Sequence, residues 1–208
     1  MNNTYKDKKE EFYQRLRSTK REGIEEILTL LEGLGFFKAP ASTRFHLNYE
    51  GGLVEHSLNV CDVALEIREV MIKMDESLMD RLSVDSVIIA SLLHDTCKAD
   101  IYKPTSVGIS KMAKMIGQGS KVPPYIVDYG SHPFGHGEKS VILLLQNGLK
   151  LTNDEMLAIR WHMSAWDLPF QSHDILGNIN KAKNICPLVT LIQSADGLAS
   201  HILENKHT

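Results

Sequence analysis

The sequence predicts an all-α fold, a helical bundle carrying one long irregular loop. Apolar residues recur at three- and four-residue intervals in five or more separate segments. Helix-ending and helix-starting residues stand where those segments stop and start: Gly35, the Thr152/Glu155 pair and Pro187. Most of the remaining prolines, with several glycines, gather in a single stretch between residues 101 and 137.

Taken in order, residues 5–18 place Tyr5, Phe12 and Leu16 at helical spacing. Residues 22–34 align Ile24, Ile27, Leu28, Leu31 and Leu34, and Gly35 follows as a C-terminal cap. Residues 36–52 read as a loop. From Leu53 to Met71 the apolar positions repeat with a period near 3.6. Residues 84–94 (VDSVIIASLLH) are apolar on nearly every side, which predicts a central buried helix; a strand is the rival reading, and the segment's length and flanking polar residues favour helix. The 101–137 stretch is read as loop, with a short helix at 108–116 and an extended piece at 124–129. Helix returns over 138–147. Thr152 and Glu155 form a capping box opening another helix to about Met163. Residues 164–183 read as polar and irregular. A last helix begins near Pro187 and aligns Leu188, Leu191, Ile192, Ala195 and Ile202.

The chain has 208 residues, enough for one domain with its own core. With 43% hydrophobic and 24% charged residues it is neither a disordered chain nor a membrane bundle. No apolar run approaches the ~18–20 residues that span a bilayer, so no membrane partner is expected. A net charge of −3 excludes a globally basic nucleic-acid surface. The strongly charged N-terminus lacks a secretory pattern, and Cys61, Cys97 and Cys186 make no disulfide framework; together these predict a cytoplasmic protein.

Polar residues on apolar faces are the anomaly that speaks of function. His56 shares a stripe with Leu53, Val60 and Ile67; His94 and Asp95 end the most apolar helix; Asp196 lies inside the last one. A lone buried histidine is usually a satisfied core residue. A buried carboxylate, however, must find a cation or donors. Two imidazoles and two carboxylates suit a divalent transition ion such as Mn, Fe, Co, Ni or Zn. The C-terminal end of the 84–94 helix also turns its negative dipole end toward a cation.

His56, then His94-Asp95, then Asp196 resembles the H…HD…D signature of the HD superfamily of metal-dependent phosphohydrolases, over about 150 residues from Gly51 to Leu203. GGLVEHSLNV and LLHDTCK look especially like its phosphodiesterase and nucleotidase members. The resemblance implies an HD-domain helical bundle over residues 46–208; residues 1–45 match no catalytic motif and read as a helical extension packed on the core. It also implies a second metal. FGHGEKS carries His136 and AIRWHMSAWD carries His162, matching the two extra histidines of dinuclear members. His56, His94, Asp95 and Asp196 would then hold one ion, and His136, His162 and a bridging Asp95 the other. His132 is an alternative to His136. Several dinuclear relatives pair two histidines where this chain has His162-Met163, which predicts a more open or weaker second site.

Lys98 follows Asp95 as in the family's HDxxK form, implying a phosphate contact; its bland reading is a solvated lysine. Arg160 is a candidate anion clamp because guanidinium binds phosphate bidentately, and a surface role is its alternative. Trp161 and Trp166 are read as core aromatics rather than base stackers. His46, His173, His201 and His207 show no partner pattern. Residues 98–121 hold five lysines against one acid, a local excess that would steer an anionic, phosphorylated substrate but is too short for long nucleic acid.

The leading expectation is an enzyme: a metal-dependent phosphohydrolase cleaving a phosphomonoester or phosphodiester of a nucleotide or short oligonucleotide by metal-activated water, with Asp95, Lys98 and Arg160 as its catalytic residues. The alternatives are a di-iron oxygenase built on the same ligand set and a non-enzymatic nucleotide sensor. Oligomeric state has no signal in the sequence.

Overall fold

The computed structural model describes residues 3–105, 123–130, 133–164 and 173–204. Its helices are α1 (Asn3–Ser18), α2 (Ile24–Leu34), α3 (Gly52–Met74), α4 (Val84–Leu93), α5 (Cys97–Ile101), α6 (His136–Gln146), α7 (Asn153–Trp161), α8 (His173–Ile185) and α9 (Pro187–Leu198). A π-helical turn, Ala199–Leu203, extends α9, and a two-stranded ribbon joins β1 (Tyr102–Pro104) to β2 (Tyr125–Val127). The class is all-α, as expected.

The centre of the molecule is α4. Ser83 caps its start by accepting from the Ser86 N–H. Every residue from Val87 to Leu93 is then buried, because α4 is enclosed by α1, α3, α7 and α9. Leu92 and Leu93 each contribute about 1.5–3 kcal/mol by leaving water. The polar Ser91 within this run donates to the Val87 carbonyl at 2.7 Å, so no buried group is left unpaired there.

The N-terminal helices share the same core, since Phe12, Leu16, Ile27 and Leu31 are buried with Leu92 and Leu188. Phe12, Phe36 and Phe37 pack ring to ring at 5.3–5.4 Å. This aromatic knot anchors the start of the 39–51 loop, which ends where the Leu53 N–H donates to the Ala39 carbonyl at 2.9 Å.

Two expectations need correction. Residues 173–185 form α8 rather than irregular chain. Gly177 and the many polar residues mask an apolar spacing through Ile179, Ala182 and Cys186; their burial against the bundle holds the helix where propensity alone is weak. The extended piece at 124–129 also has a partner strand that was not expected. Tyr102 pairs with Val127 and Pro104 with Tyr125, antiparallel, with Pro104 at the end of its strand where a missing N–H is tolerated. The expected 108–116 helix, Lys111, Lys114, Lys121, His132, Trp166 and His207 lie outside the described residues. Among the described residues no helix is long and apolar enough to cross a membrane.

Candidate metal centre

Four imidazoles from four parts of the chain turn their Nε2 atoms toward one carboxylate. Asp95, buried just past the end of α4, has His136 Nε2 at 2.5 Å, His94 Nε2 at 3.2 Å, and His56 and His162 Nε2 at 3.4 Å. Asp196, on α9, stands 3.3 Å from His56 Nε2. Lys98 Nζ lies 2.5 Å from the second Asp95 oxygen.

Local chain geometry sets these directions. His94 and His162 each follow the last residue of a helix, and each ring donates from Nδ1 to the carbonyl three residues back, Ser91 O and Ile159 O, both at 2.7 Å. A carbonyl can only accept, so each ring carries a proton on Nδ1, and Nε2 is the ring atom left to face inward. The same bond satisfies a helix-end carbonyl. His136 opens α6, two residues earlier than the sequence predicted, because Gly135 takes the cap position. Gly137 brings α6 against α7: a Cβ there would meet the Arg160 carbonyl oxygen at 2.2 Å. This close approach sets the His136 ring beside that of His162, centroids 5.5 Å apart.

His56 is oriented from behind by a residue that sequence reasoning missed. Its Nδ1 lies 3.0 and 3.1 Å from the two oxygens of Glu204, which also accepts from Asn59 Nδ2 at 3.0 Å. Glu204 follows the π-turn, eight positions after Asp196, and Asn59 is three after His56; helical spacing from two candidate ligands was the available signal. His46, expected to have no partner, is also here, its ring centroid 5.1 Å from that of His56 and its Nε2 3.8 Å from Glu204.

This arrangement fits a cation. His94 Nε2 faces His56 Nε2 at 3.3 Å, with both Nδ1 atoms already directed at acceptors. Two ring nitrogens at that distance need a positive charge between them, a metal ion or a proton. His162 Nε2 is buried near a carboxylate oxygen and makes no hydrogen bond. The ligand atoms of His56–His94–Asp95, of His94–His162–Asp196 and of Asp95–His136–His162 each lie within 4.8 Å of one another. In the protein alone, protons take the cation's place. Burial opposes charge on His56, yet Asp196, Asp95 and Glu204 raise its pKa well above the ordinary value. Burial likewise opposes charge on His136, but Cys97 and Asp95 raise it to about 10. Burial lowers the pKa of His162. Asp95 is driven well below the usual carboxylate range, against its own burial, chiefly by Lys98 and His94. Asp196 is lowered by His56, again against burial. The Lys98 ammonium is buried yet stabilised by Asp95.

The cluster opens on a cavity of about 510 Å³ whose wall includes Lys98, Tyr102, His136, His162 and Asp196. Lys98 is 7% exposed, so it is neither a solvated lysine nor part of an open basic rim. Arg160, expected as an anion clamp, is not brought to this cavity. It pairs with Glu138 at 2.8 Å, covers the Trp161 ring at 4.1 Å, and lines a separate apolar groove of about 580 Å³ with Val141, Met156 and Ile185. Positions two apart on a helix differ by about 200°, so turning His162 inward turns Arg160 away.

No protein-family model matches this chain, and no solved structure matches it. Over 70 residues it is 38% identical to the dihydroneopterin 2',3'-cyclic phosphate phosphodiesterase of Methanocaldococcus jannaschii. That stretch is 34% of this chain and 27% of that protein, so the chain matches about a quarter of the length of this curated relative, a phosphodiesterase.

Proposed function

We propose that this protein is a metal-dependent phosphohydrolase of the HD type that cleaves a phosphoester of a nucleotide-like small molecule. The observation that carries the reading is the convergence of the His56, His94, His136 and His162 Nε2 atoms on buried Asp95, with His94 and His162 held in place through Nδ1 by backbone carbonyls. His56, His94, Asp95 and Asp196 would hold one divalent ion, and His136 and His162, with Asp95 shared, a second. The partial relative supports the phosphodiester as the bond class.

When bound, such ions supply Lewis acidity, making water nucleophilic near neutral pH and drawing charge from phosphoryl oxygens. Hydrolysis joins the water oxygen to phosphorus and breaks one P–O bond. One water proton leaves on the departing alcohol, and the other remains with the new phosphate hydroxyl or passes to solvent. Lys98 lines the cavity beside Asp95, where its ammonium offsets charge building on phosphoryl oxygens. His94 and His162, tied back to their own helices, keep their geometry throughout.

The test is elemental analysis of metal-replete protein followed by a panel of nucleoside 2',3'-cyclic phosphates and nucleotides. The expected result is stoichiometric metal and phosphoester cleavage, with both lost in Asp95→Ala while helical circular dichroism persists. Full metal occupancy in Asp95→Ala would refute the ligand assignment. Oxygen consumption without phosphoester cleavage would replace the hydrolase with a di-iron oxygenase, and bound metal with no turnover would point to a sensor.

A further inference from the structure

The cavity beside the histidine cluster has one wall that the proposed chemistry does not use. Its rim is the loop of residues 41–47, and that loop is closed on itself. The Ala41 N–H donates to the Leu47 carbonyl at 3.1 Å, the Ser42 hydroxyl donates to the His46 carbonyl at 2.7 Å, and the Phe45 N–H donates to the Ser42 hydroxyl at 2.8 Å. Leu47 sits at φ +43°, a left-handed conformation that a leucine rarely adopts. The carbonyl it projects lies against Gly52, where a Cβ would come within 2.0 Å of that oxygen. The loop is therefore held in one shape from both ends.

That shape turns two neighbouring side chains opposite ways. His46 goes inward, toward Glu204 and His56. Phe45 goes outward and is 82% exposed, the most exposed of the large apolar side chains among the described residues. It is also the one of those exposed side chains that lines the cavity. A phenyl ring left in water at the mouth of a site, on a loop pinned to keep it there, offers a flat apolar face. Tyr102 and Met163 add apolar surface within the cavity, and Gln193 and Thr43 add groups that hydrogen-bond. The volume of about 510 Å³ lies in the ~300–1,000 Å³ range of small-molecule sites.

We propose that Phe45 is a specificity-determining residue that stacks on a planar heterocycle carried by the alcohol portion of the substrate, so that the site selects heteroaromatic phosphoesters of single-nucleotide size over aliphatic ones. The proposal rests on the phosphohydrolase reading for the identity of the reacting group, and on the loop for the identity of the rest. Stacking on an aromatic side chain tolerates many bases, because every base has a π-face. Selection is therefore for planarity rather than for one base.

The test compares matched substrates in metal-loaded wild type, Phe45→Ala, Phe45→Leu and Phe45→Trp. One pair is adenosine 2',3'-cyclic phosphate against glycerol 1,2-cyclic phosphate; the other is AMP against ribose 5-phosphate. In Phe45→Ala the ratio of kcat/KM within a pair should fall by about 10- to 100-fold, mostly through the KM of the nucleoside substrate. Phe45→Leu should fall nearly as far, since it keeps apolar area but loses the ring, and Phe45→Trp should restore the ratio. Metal content should match wild type in all three variants. An unchanged ratio in Phe45→Ala overturns the proposal, as does full recovery by leucine. If wild type hydrolyses none of the four compounds, the phosphohydrolase reading falls, and the seat is judged by equilibrium binding of AMP and ribose 5-phosphate. Weaker AMP binding in Phe45→Ala alone would then uphold it, and equal AMP binding would sink it.

Discussion

His56 Nδ1 and the Glu204 carboxylate meet at 3.0 Å although 148 positions separate them in the chain. The contact binds the start of α3 to the end of the last helix and leaves His56 Nε2 to face Asp95 and Asp196. Carboxylates behind metal-binding imidazoles set ring orientation and raise basicity, and their loss costs ~10–100-fold in metal affinity. Glu204→Ala is expected to weaken metal binding by about that factor, and Glu204→Gln by less, since an amide oxygen still accepts from Nδ1. A competition titration with a chromophoric chelator measures this. Equal affinities in wild type and Glu204→Ala would remove Glu204 from the site.

On the proposed two-ion reading, loss of one extra histidine should separate the ions. His136→Ala is expected to lower metal content from about two per chain toward one while the helical circular dichroism persists, because His136 stands at the first position of α6 and its loss leaves the rest of the helix in place. Mass spectrometry under native conditions reads the stoichiometry directly. Two retained ions would transfer the ligand role to another residue.

Metal uptake should release protons. Without metal, the pKa values of His56 and His136 are raised, that of His136 to about 10, so both rings are charged at neutral pH. Ligation requires the neutral imidazole. Binding at pH 7 therefore expels up to two protons, and apparent affinity rises with pH, the His136 contribution fading near pH 10 as that ring loses its proton unaided. Calorimetry in two buffers of different ionisation enthalpy counts the protons; none released would contradict the ligand set.

Lys98 separates contact from steering. It is buried on Asp95 at 2.5 Å, so it acts at short range. Lys98→Ala should lower kcat and kcat/KM together. The loss of one charge-assisted contact, ~2–3 kcal/mol, corresponds to roughly 30–150-fold. A fall in kcat/KM alone, mimicked by high salt, would mean long-range steering instead.

Stability should depend on a tie far from the metal cluster. Arg21 grips Glu155 bidentately at 2.7 and 2.8 Å, and the Glu155 side chain is fully buried where it also caps α7 and accepts from Ser86. Arg21→Ala leaves a buried carboxylate without its cation, a cost of about 3 kcal/mol. Calorimetry should show Tm lower by roughly 6–12 °C for a chain of this size, partly recovered by adding Glu155→Gln. Metal content should not change.

Local features were legible in the chain. The period of the α3 and α4 segments, the Gly35 cap, the Thr152–Glu155 capping box and Pro187 at the first turn of α9 are all readable because the interactions that cause them span a single helical turn. Polar residues on apolar stripes likewise marked His56, His94, Asp95 and Asp196, since burial without a partner is costly wherever the partner lies. Tertiary structure alone decided which distant groups meet. It placed Glu204 and His46 behind His56, paired Tyr102 with Val127, turned Arg160 onto Glu138, and stabilised α8 through Ile179 and Ala182 despite its polar sequence. Those outcomes join groups from 10 to 148 positions apart, on different elements, and contacts between elements leave no period in the chain to read.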